Sequence, residues 1–212
     1  MAANPSIKKR FDGYLPVVVD LETSGVDPQK NAILEIAAIT LNFNEAGVLA
    51  PAGDFSCHVT PFEGARLDDE ALKVTGIDPF HPFRFDIVEL DALTQLFQFV
   101  RQALKNTGCR RAVLTGHNAH FDLSFLLTAA KRCKLKETPF HAFTVLDTAS
   151  LSGLIFGKTV LAKALFAAKL GFDKNEAHSA IYDAQKTAAL FCHIVNKQRE
   201  NRERLATHIN QR

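Results

Sequence analysis

Val17-Val18-Val19 is a short apolar run that ends in two acids, Asp20 and Glu22. It reads as a buried strand closed by Gly25 and Pro28. Asp20 and Glu22 are two residues apart, so strand periodicity points both carboxylates to the same side of a sheet. Two carboxylates about 4 Å apart repel by on the order of 1 kcal/mol in water and several-fold more at reduced dielectric. Such a pair calls for a proton or a cation. Either a divalent metal sits there, or the strand merely surfaces at its end, and this spacing alone leaves both open.

The rest of the chain has to supply a fold around that strand. At 212 residues it has the length of one large domain rather than two. With 47% hydrophobic and 23% charged residues, disordered, collagen-like and disulfide-miniprotein classes are disfavoured. One domain over residues 1–212 is expected, with loose segments at about 1–10 and 198–212. Further strands are expected at Ile33 to Phe43, Phe55 to Val59, Ala112 to Thr115 and Phe143 to Leu146, with a turn over Asn44 to Gly53. Helical spacing runs through Leu90, Leu93, Leu96, Phe97, Val100 and Leu104, through Phe125 and Ala129, over Thr159 to Lys169 with Gly171 as cap, and over Ala180 to Asn196. Three antiparallel strands followed by strand-helix-strand imply an α/β fold, a mixed five-stranded sheet flanked by helices.

Apolar runs fall far short of the roughly 20 residues that a membrane-spanning helix needs. Lys8, Lys9 and Arg10 precede a short apolar run flanked by Asp12 and Asp20, without a small-residue cleavage site, so no signal peptide is expected. Cys57, Cys109, Cys133 and Cys192 form no Cys-x-x-Cys pair and read as free thiols in a reducing cytoplasm. The net charge of +2 is mild. Basic residues nevertheless clump at Lys8 to Arg10, Arg110 and Arg111, Lys131 to Lys136, and Lys197 to Arg204, which fits either a nucleic-acid surface or solvated helix faces.

Two more segments carry acids. Asp122 falls where the fourth expected strand hands over to a helix, within Gly116-His117-Asn118-Ala119-His120-Phe121-Asp122. Asp183 falls in the first turns of the last helix, within His178-Ser179-Ala180-Ile181-Tyr182-Asp183. An acid near a helix N-terminus favours the helix dipole and usually does nothing else. The ensemble of Asp-x-Glu, an Asp about a hundred residues on, and then His-x4-Asp resembles the DEDDh family of 3′-to-5′ exonucleases, named for four acids and a histidine. The resemblance covers most of the chain. Val17 to Leu41, Gly76-Ile77-Asp78-Pro79, His117 to Phe125, Pro139-Phe140-His141, Asp147-Thr148-Ala149 and Ala177 to Asp183 all look like one branch of that family.

That resemblance implies a ribonuclease H-like fold and a homodimer that trims single-stranded 3′ ends of RNA, transfer RNA included, with DNA as a possible substrate. Asp20, Glu22, Asp122 and Asp183 would bind two Mg2+ ions, for which Mn2+ can substitute, and His178 would be the general base. Elementary chemistry agrees: all-oxygen donors suit hard, hydrated cations, and an imidazole with a pKa near 6.5 is a competent base at neutral pH. Phe121 and Phe143 match family positions that wedge against the last two nucleotides, and Glu70 one that contacts the terminal base. Val26 and Val74 stand where the family has phenylalanine. Valine can press on a base but offers no π face, so the family's reluctance at terminal cytosine need not hold here. Arg10, Lys105, Arg111 and Lys136 would form a patch feeding substrate into the partner's site.

Other residues read structurally first. Asp147 is a fifth acid whose Asp-Thr-Ala context is that of an N-cap, and Asn118 would orient the Asp122 loop through local bonds. Seventeen phenylalanines without a tryptophan must mostly be core, although a sequence-tolerant nuclease also needs aromatic faces on which to stack bases. A proofreading DNA exonuclease or an oligoribonuclease would share all five site residues. A non-catalytic nucleic-acid-binding module predicts loss of at least one, and all five are present.

Overall fold

The computed structural model describes residues 5–210. Its sheet is built on β1 (Tyr14–Thr23), which pairs antiparallel with β2 (Ile33–Phe43), itself antiparallel to β3 (Leu49–Thr60). On its other side β1 runs parallel to β5 (Arg111–Gly116), and β5 parallel to β6 (Phe140–Asp147). A two-residue strand, β4 (Ile87–Val88), pairs parallel with the end of β3, giving the order β4-β3-β2-β1-β5-β6. The sheet therefore has six strands rather than five. Two residues are too few to show a period-2 pattern, so β4 left no mark in the sequence.

The other departures have local causes. β3 begins at Leu49 instead of Phe55, and the expected Asn44 to Gly53 turn shrinks accordingly, because Leu49 is buried and pairs with Phe43 across a bulge beside Leu41. Pro51, with no N–H, is tolerated because this stretch of β3 lies on the outer side of the sheet. Helix α6 (Leu161–Ala167) is shorter than expected, and the left-handed residue after it is Lys169 (φ 59°), not Gly171. Two short helices, α1 (Ile7–Arg10) and α2 (Asp69–Thr75), went unforeseen, and α5 (Thr148–Phe156) was marked in the sequence only by its Asp147 N-cap. Ile7 in α1 is buried, and α7 (Ala180–Asn210) runs well past Asn196, so both segments expected to be loose carry helix where described. Residues 1–4 and 211–212 lie outside the described residues.

Helix α3 (Glu89–Thr107) follows its apolar spacing and ends at Gly108 in the left-handed region, as expected. With α4 (His120–Arg132) and α7 it encloses a core centred on Val17, Val18, Val19, Ile36, Phe97, Phe125 and Phe191. A smaller cluster joins α5 and α6 to α7 through Leu165, Leu190 and Ile194. Among the described residues no single helix is long and apolar enough to cross a membrane, and Cys57, Cys109, Cys133 and Cys192 are all free.

Candidate active site

The acids gather at the C-terminal end of β1, where Leu21, Glu22 and Thr23 are still buried. β5 pairs with β1 only as far as Val18↔Thr115, so the Leu21 N–H beyond that point needs another acceptor. Asp122, in the first turn of α4, provides it: its Oδ1 accepts from Leu21 N at 3.1 Å. Gly116 makes this approach feasible, since a Cβ there would meet Ala119 at 3.2 Å and the Val19 carbonyl at 3.3 Å. The turn is completed by Asn118 at φ 69°, and the Asn118 N–H donates to Asp147 Oδ1 at 3.0 Å. Asp147 also accepts from Ala149 N at 2.9 Å as the N-cap of α5. Asn118 thus acts through its backbone, and Asp147 carries the structural role that the sequence favoured.

Asp183 arrives on the first turn of α7, which is pinned to the sheet because the Ala180 N–H donates to Glu35 Oε2 at 3.2 Å. His178 takes a left-handed conformation, φ 67°, and its N–H donates to Asp183 Oδ2 at 3.1 Å. Asp183 Oδ1 is buried without a partner. One ligand atom from each of Glu22, His178 and Asp183 lies within 4.8 Å of the others. The nearby His117 is tied down, with its Nε2 donating to the Thr159 carbonyl at 2.8 Å.

These carboxyls are held protonated to unusually high pH. Burial, then Asp183, Glu35 and Asp122, pushes Glu22 up to about 8. Asp122 is also pushed up to about 8, chiefly by burial, although backbone N–H groups pull the other way. Asp20 lies well above the usual carboxylate range through burial and the neighbouring Asp122, Glu22, Asp183 and Glu35. Burial raises Asp183 too, partly opposed by His178. A group of acids that cannot all ionise, one with an orphaned oxygen, fits a site built for hard divalent cations.

Beside Glu22 a cleft of about 450 Å³ is lined by Val26, Glu70, Ala71, Val74 and Phe121. Four residues singled out in the sequence for substrate contact therefore share one wall. Gly25 lets that wall close, because a Cβ there would lie 2.2 Å from Asp68 Oδ2 and 2.3 Å from Asn31 Nδ2. Asn31 Nδ2 bonds Asp68 at 3.1 Å and the Arg66 carbonyl at 2.8 Å, fixing the entry to α2 and with it Glu70.

Comparison with known proteins shows the family. A family profile described as exonuclease matches residues 17–191. Ribonuclease T of Vibrio parahaemolyticus is 55% identical over 193 residues, 91% of this chain and 90% of the relative. The chain belongs to the ribonuclease T family. Ribonuclease T of Yersinia enterocolitica is 53% identical over 192 residues, 91% of this chain and 89% of the relative. Among solved structures, E. coli Exonuclease I in complex with a dT13 oligonucleotide aligns with a TM-score of 0.65 at 16% identity, covering 92% of this chain and 44% of that one. This chain spans less than half the length of Exonuclease I. A full-length 3′-exonuclease aligns at 0.68 and 19% identity, covering 87% and 82%. At such identities the structures share the fold.

Not every family position converges. Phe143 is 82% exposed on β6 and is not among the residues that line the cleft. Arg10, Lys105, Arg111 and Lys136 cluster at the opposite end of the sheet. Arg111 opens β5 and pairs with Tyr14, six residues before Asp20, or about 20 Å at strand rise. Arg10 ends α1 just before β1, Lys105 lies in the last turn of α3, and Lys136 precedes β6. The Arg111 guanidinium is engaged by the Phe140 carbonyl at 3.0 and 3.1 Å. Glu35, opposite Glu22 in the β1–β2 register, is a further acid beside these carboxyls that sequence reasoning missed. Its motif, Leu-Glu-Ile, is that of a strand interior and gives no spacing signal.

Proposed function

We propose that this chain is a divalent-metal-dependent 3′-to-5′ exoribonuclease that trims single-stranded 3′ ends of transfer RNA and other structured RNAs, working in the cytoplasm as a homodimer. The observation that carries this is the convergence of Asp20, Glu22, Asp122 and Asp183, from β1, α4 and α7, beside a cleft lined by Val26, Glu70, Val74 and Phe121. The family and its printed name supply the exonuclease chemistry and the RNA. The four free thiols fit a reducing compartment.

Asp20, Glu22, Asp122 and Asp183 would hold two Mg2+ ions, with Mn2+ as substitute. Bound there, the cations polarise the phosphodiester and lower the pKa of the attacking water. The chain's own residues do the rest. His178, beside Glu22 and Asp183, accepts the water's proton on a ring nitrogen as the new O–P bond forms and the bond to the 3′ oxygen breaks. Its left-handed backbone and the Asp183 bond aim the ring at the site. Val26, Val74 and Phe121 press on the terminal base, Glu70 offers an acceptor to its edge, and Phe143 stands further out. With the basic patch about 20 Å from the acids of its own subunit, substrate reaching both in one dimer would bridge the two subunits.

A digestion ladder on a 3′-extended RNA, with Mg2+ and then with chelator, tests the reading. Stepwise shortening abolished by chelator is expected, and internal cleavage or metal-independent loss would sink it. The single-stranded DNA bound to Exonuclease I supports a second reading, a DNA exonuclease. Relative rates on matched RNA and DNA strands, and on chains of different length, separate these and distinguish an oligoribonuclease.

A further inference from the structure

The loop from α2 to β4 holds Phe80, Phe83 and Phe85 in the open, at 76%, 73% and 84% exposure. Between them Arg84 is 9% exposed. It reaches into the sheet, where its guanidinium donates to the carbonyls of Val59 at 3.1 Å and of Leu34, and it pairs with Asp86 at 3.4 Å. The loop is further fixed by Phe80 N–H to Asp78 Oδ1 at 3.0 Å, Phe83 N–H to His81 Nδ1 at 3.2 Å, and Arg84 N–H to the His81 carbonyl at 3.1 Å. Phe85 is held at φ 51°, an unfavourable conformation for a bulky side chain. A buried arginine, a bonded turn and a strained residue hold three apolar rings toward water, where they add nothing to the core.

Two of the rings, Phe83 and Phe85, line a groove of about 400 Å³ together with Glu35, His58, Asp78 and His81, among others. That groove continues the active site. Glu35 is the register partner of Glu22, and α2, whose Glu70 and Val74 line the terminal-base cleft, leads through Gly76 into the groove wall. We infer that Phe80, Phe83 and Phe85 form a stacking platform for unpaired bases of the substrate strand upstream of its 3′ end. This rests on the proposed nuclease reading and adds a second binding surface to it.

Shape and area favour this occupant: flat, uncharged rings match base faces of any sequence. At about 150–250 Å² per ring, three rings at three-quarters exposure offer roughly 350–550 Å², short of the ~800 Å² per partner of a stable protein interface. A row of nucleobases needs no more than this.

The test uses single-stranded RNA 12-mers carrying 2-aminopurine at one position at a time, bound in chelator to the wild type and to F80S/F83S/F85N. The wild type should quench the probe at positions upstream of the last two nucleotides, and the variant should lose that quench while keeping it at the 3′ terminus. Affinity should fall by on the order of 5- to 100-fold per stacked base, and F80Y/F83Y should retain quench and affinity. With metal, KM should rise on 12-mers but not on dinucleotides, with kcat unchanged. Equal quench and affinity in wild type and variant would overturn the platform. So would a variant that changes only the oligomeric state, which would make the face a protein interface. A wild type that stacks the probe but cuts no strand would defeat the nuclease reading and leave the platform standing.

Discussion

Glu22 and Glu35 face one another as direct partners across the β1–β2 ladder, and Glu35 also bonds the Ala180 N–H at 3.2 Å and His58 Nδ1 at 3.1 Å. Like charges in that position destabilise a sheet. Burial is the main reason that Glu22 titrates near 8, with Asp183 and then Glu35 adding to it. Glu35→Gln keeps an acceptor for Ala180 and removes one repelling charge. The acid limb of the pH–rate profile should then move to lower pH while α7 stays docked. An unmoved limb would mean that Glu35 serves only to anchor the helix.

Stability without metal should depend on pH in an unusual direction. Glu22 rises from 4.5 to about 8 and Asp122 from 3.8 to about 8 on folding, so the native state binds more protons than the unfolded chain between those values. The stabilisation from these protons is full below about pH 4 and is lost as pH rises through 8. In chelator, Tm should fall from pH 5 to pH 9. Mg2+ should restore it most strongly at the alkaline end, since ligands must shed protons to bind a cation. A chelator Tm that climbs over this range would contradict the raised carboxyls.

The legibility of this chain followed periodicity and spacing. The Val17 to Glu22 strand, α3 with Gly108, and the handover to Asp122 were plain because each combines a long pattern with a stop signal. α2 and β4 were not, being short and stabilised by tertiary contacts such as Asp68 to Asn31 and the buried Arg84. His-x4-Asp singled out His178 only in company, since His58, His81 and His117 also have an acid five residues on. Most phenylalanines do lie in or against the core, with Phe11, Phe43, Phe55, Phe99, Phe121, Phe156 and Phe172 packed on its clusters half-buried. Phe97, Phe125, Phe140 and Phe191 are fully buried, while Phe80, Phe83, Phe85, Phe143 and Phe166 are exposed, and composition cannot sort one set from the other.

Asp183→Asn should remove nearly all activity and leave the fold intact. It keeps an acceptor for the His178 N–H but takes a charge from the cation site, and the loss of repulsion should keep the metal-free Tm at or above that of the wild type. The same holds for Asp20→Asn, Glu22→Gln and Asp122→Asn. Wild-type turnover by Asp183→Asn at saturating Mg2+ would sink the assignment.

His178→Ala tests the base. The variant should lose roughly 10²-fold or more in kcat, together with that part of the acid limb of the pH–rate profile which Glu35→Gln leaves in place. His178 also lies within 4.8 Å of Glu22 and Asp183 ligand atoms, so metal titration by calorimetry belongs beside the kinetics. An unchanged metal affinity with a lost pH limb marks a base. A weakened affinity with the limb retained marks a ligand.

The basic patch yields the last prediction. Arg111 opens β5, and Arg10, Lys105 and Lys136 lie in the segments that lead into β1, β5 and β6, whereas the acids lie at the far end of β1, about 20 Å of strand from the level of Arg111. In a dimer that feeds one subunit's substrate into the other's site, the two groups act in trans. Phosphate contacts hold a strand without reading it, so losing each should weaken binding to all sequences and lower the salt slope by about 0.7. Arg111, engaged by the Phe140 carbonyl, should contribute least of the four. Mixing an Asp183→Asn subunit with a subunit lacking the patch then forms one composite site from an intact patch and intact acids. Activity that neither parent has should return in the mixture. If heterodimers form, as shown by native mass spectrometry, and no activity returns, binding and cutting belong to one subunit.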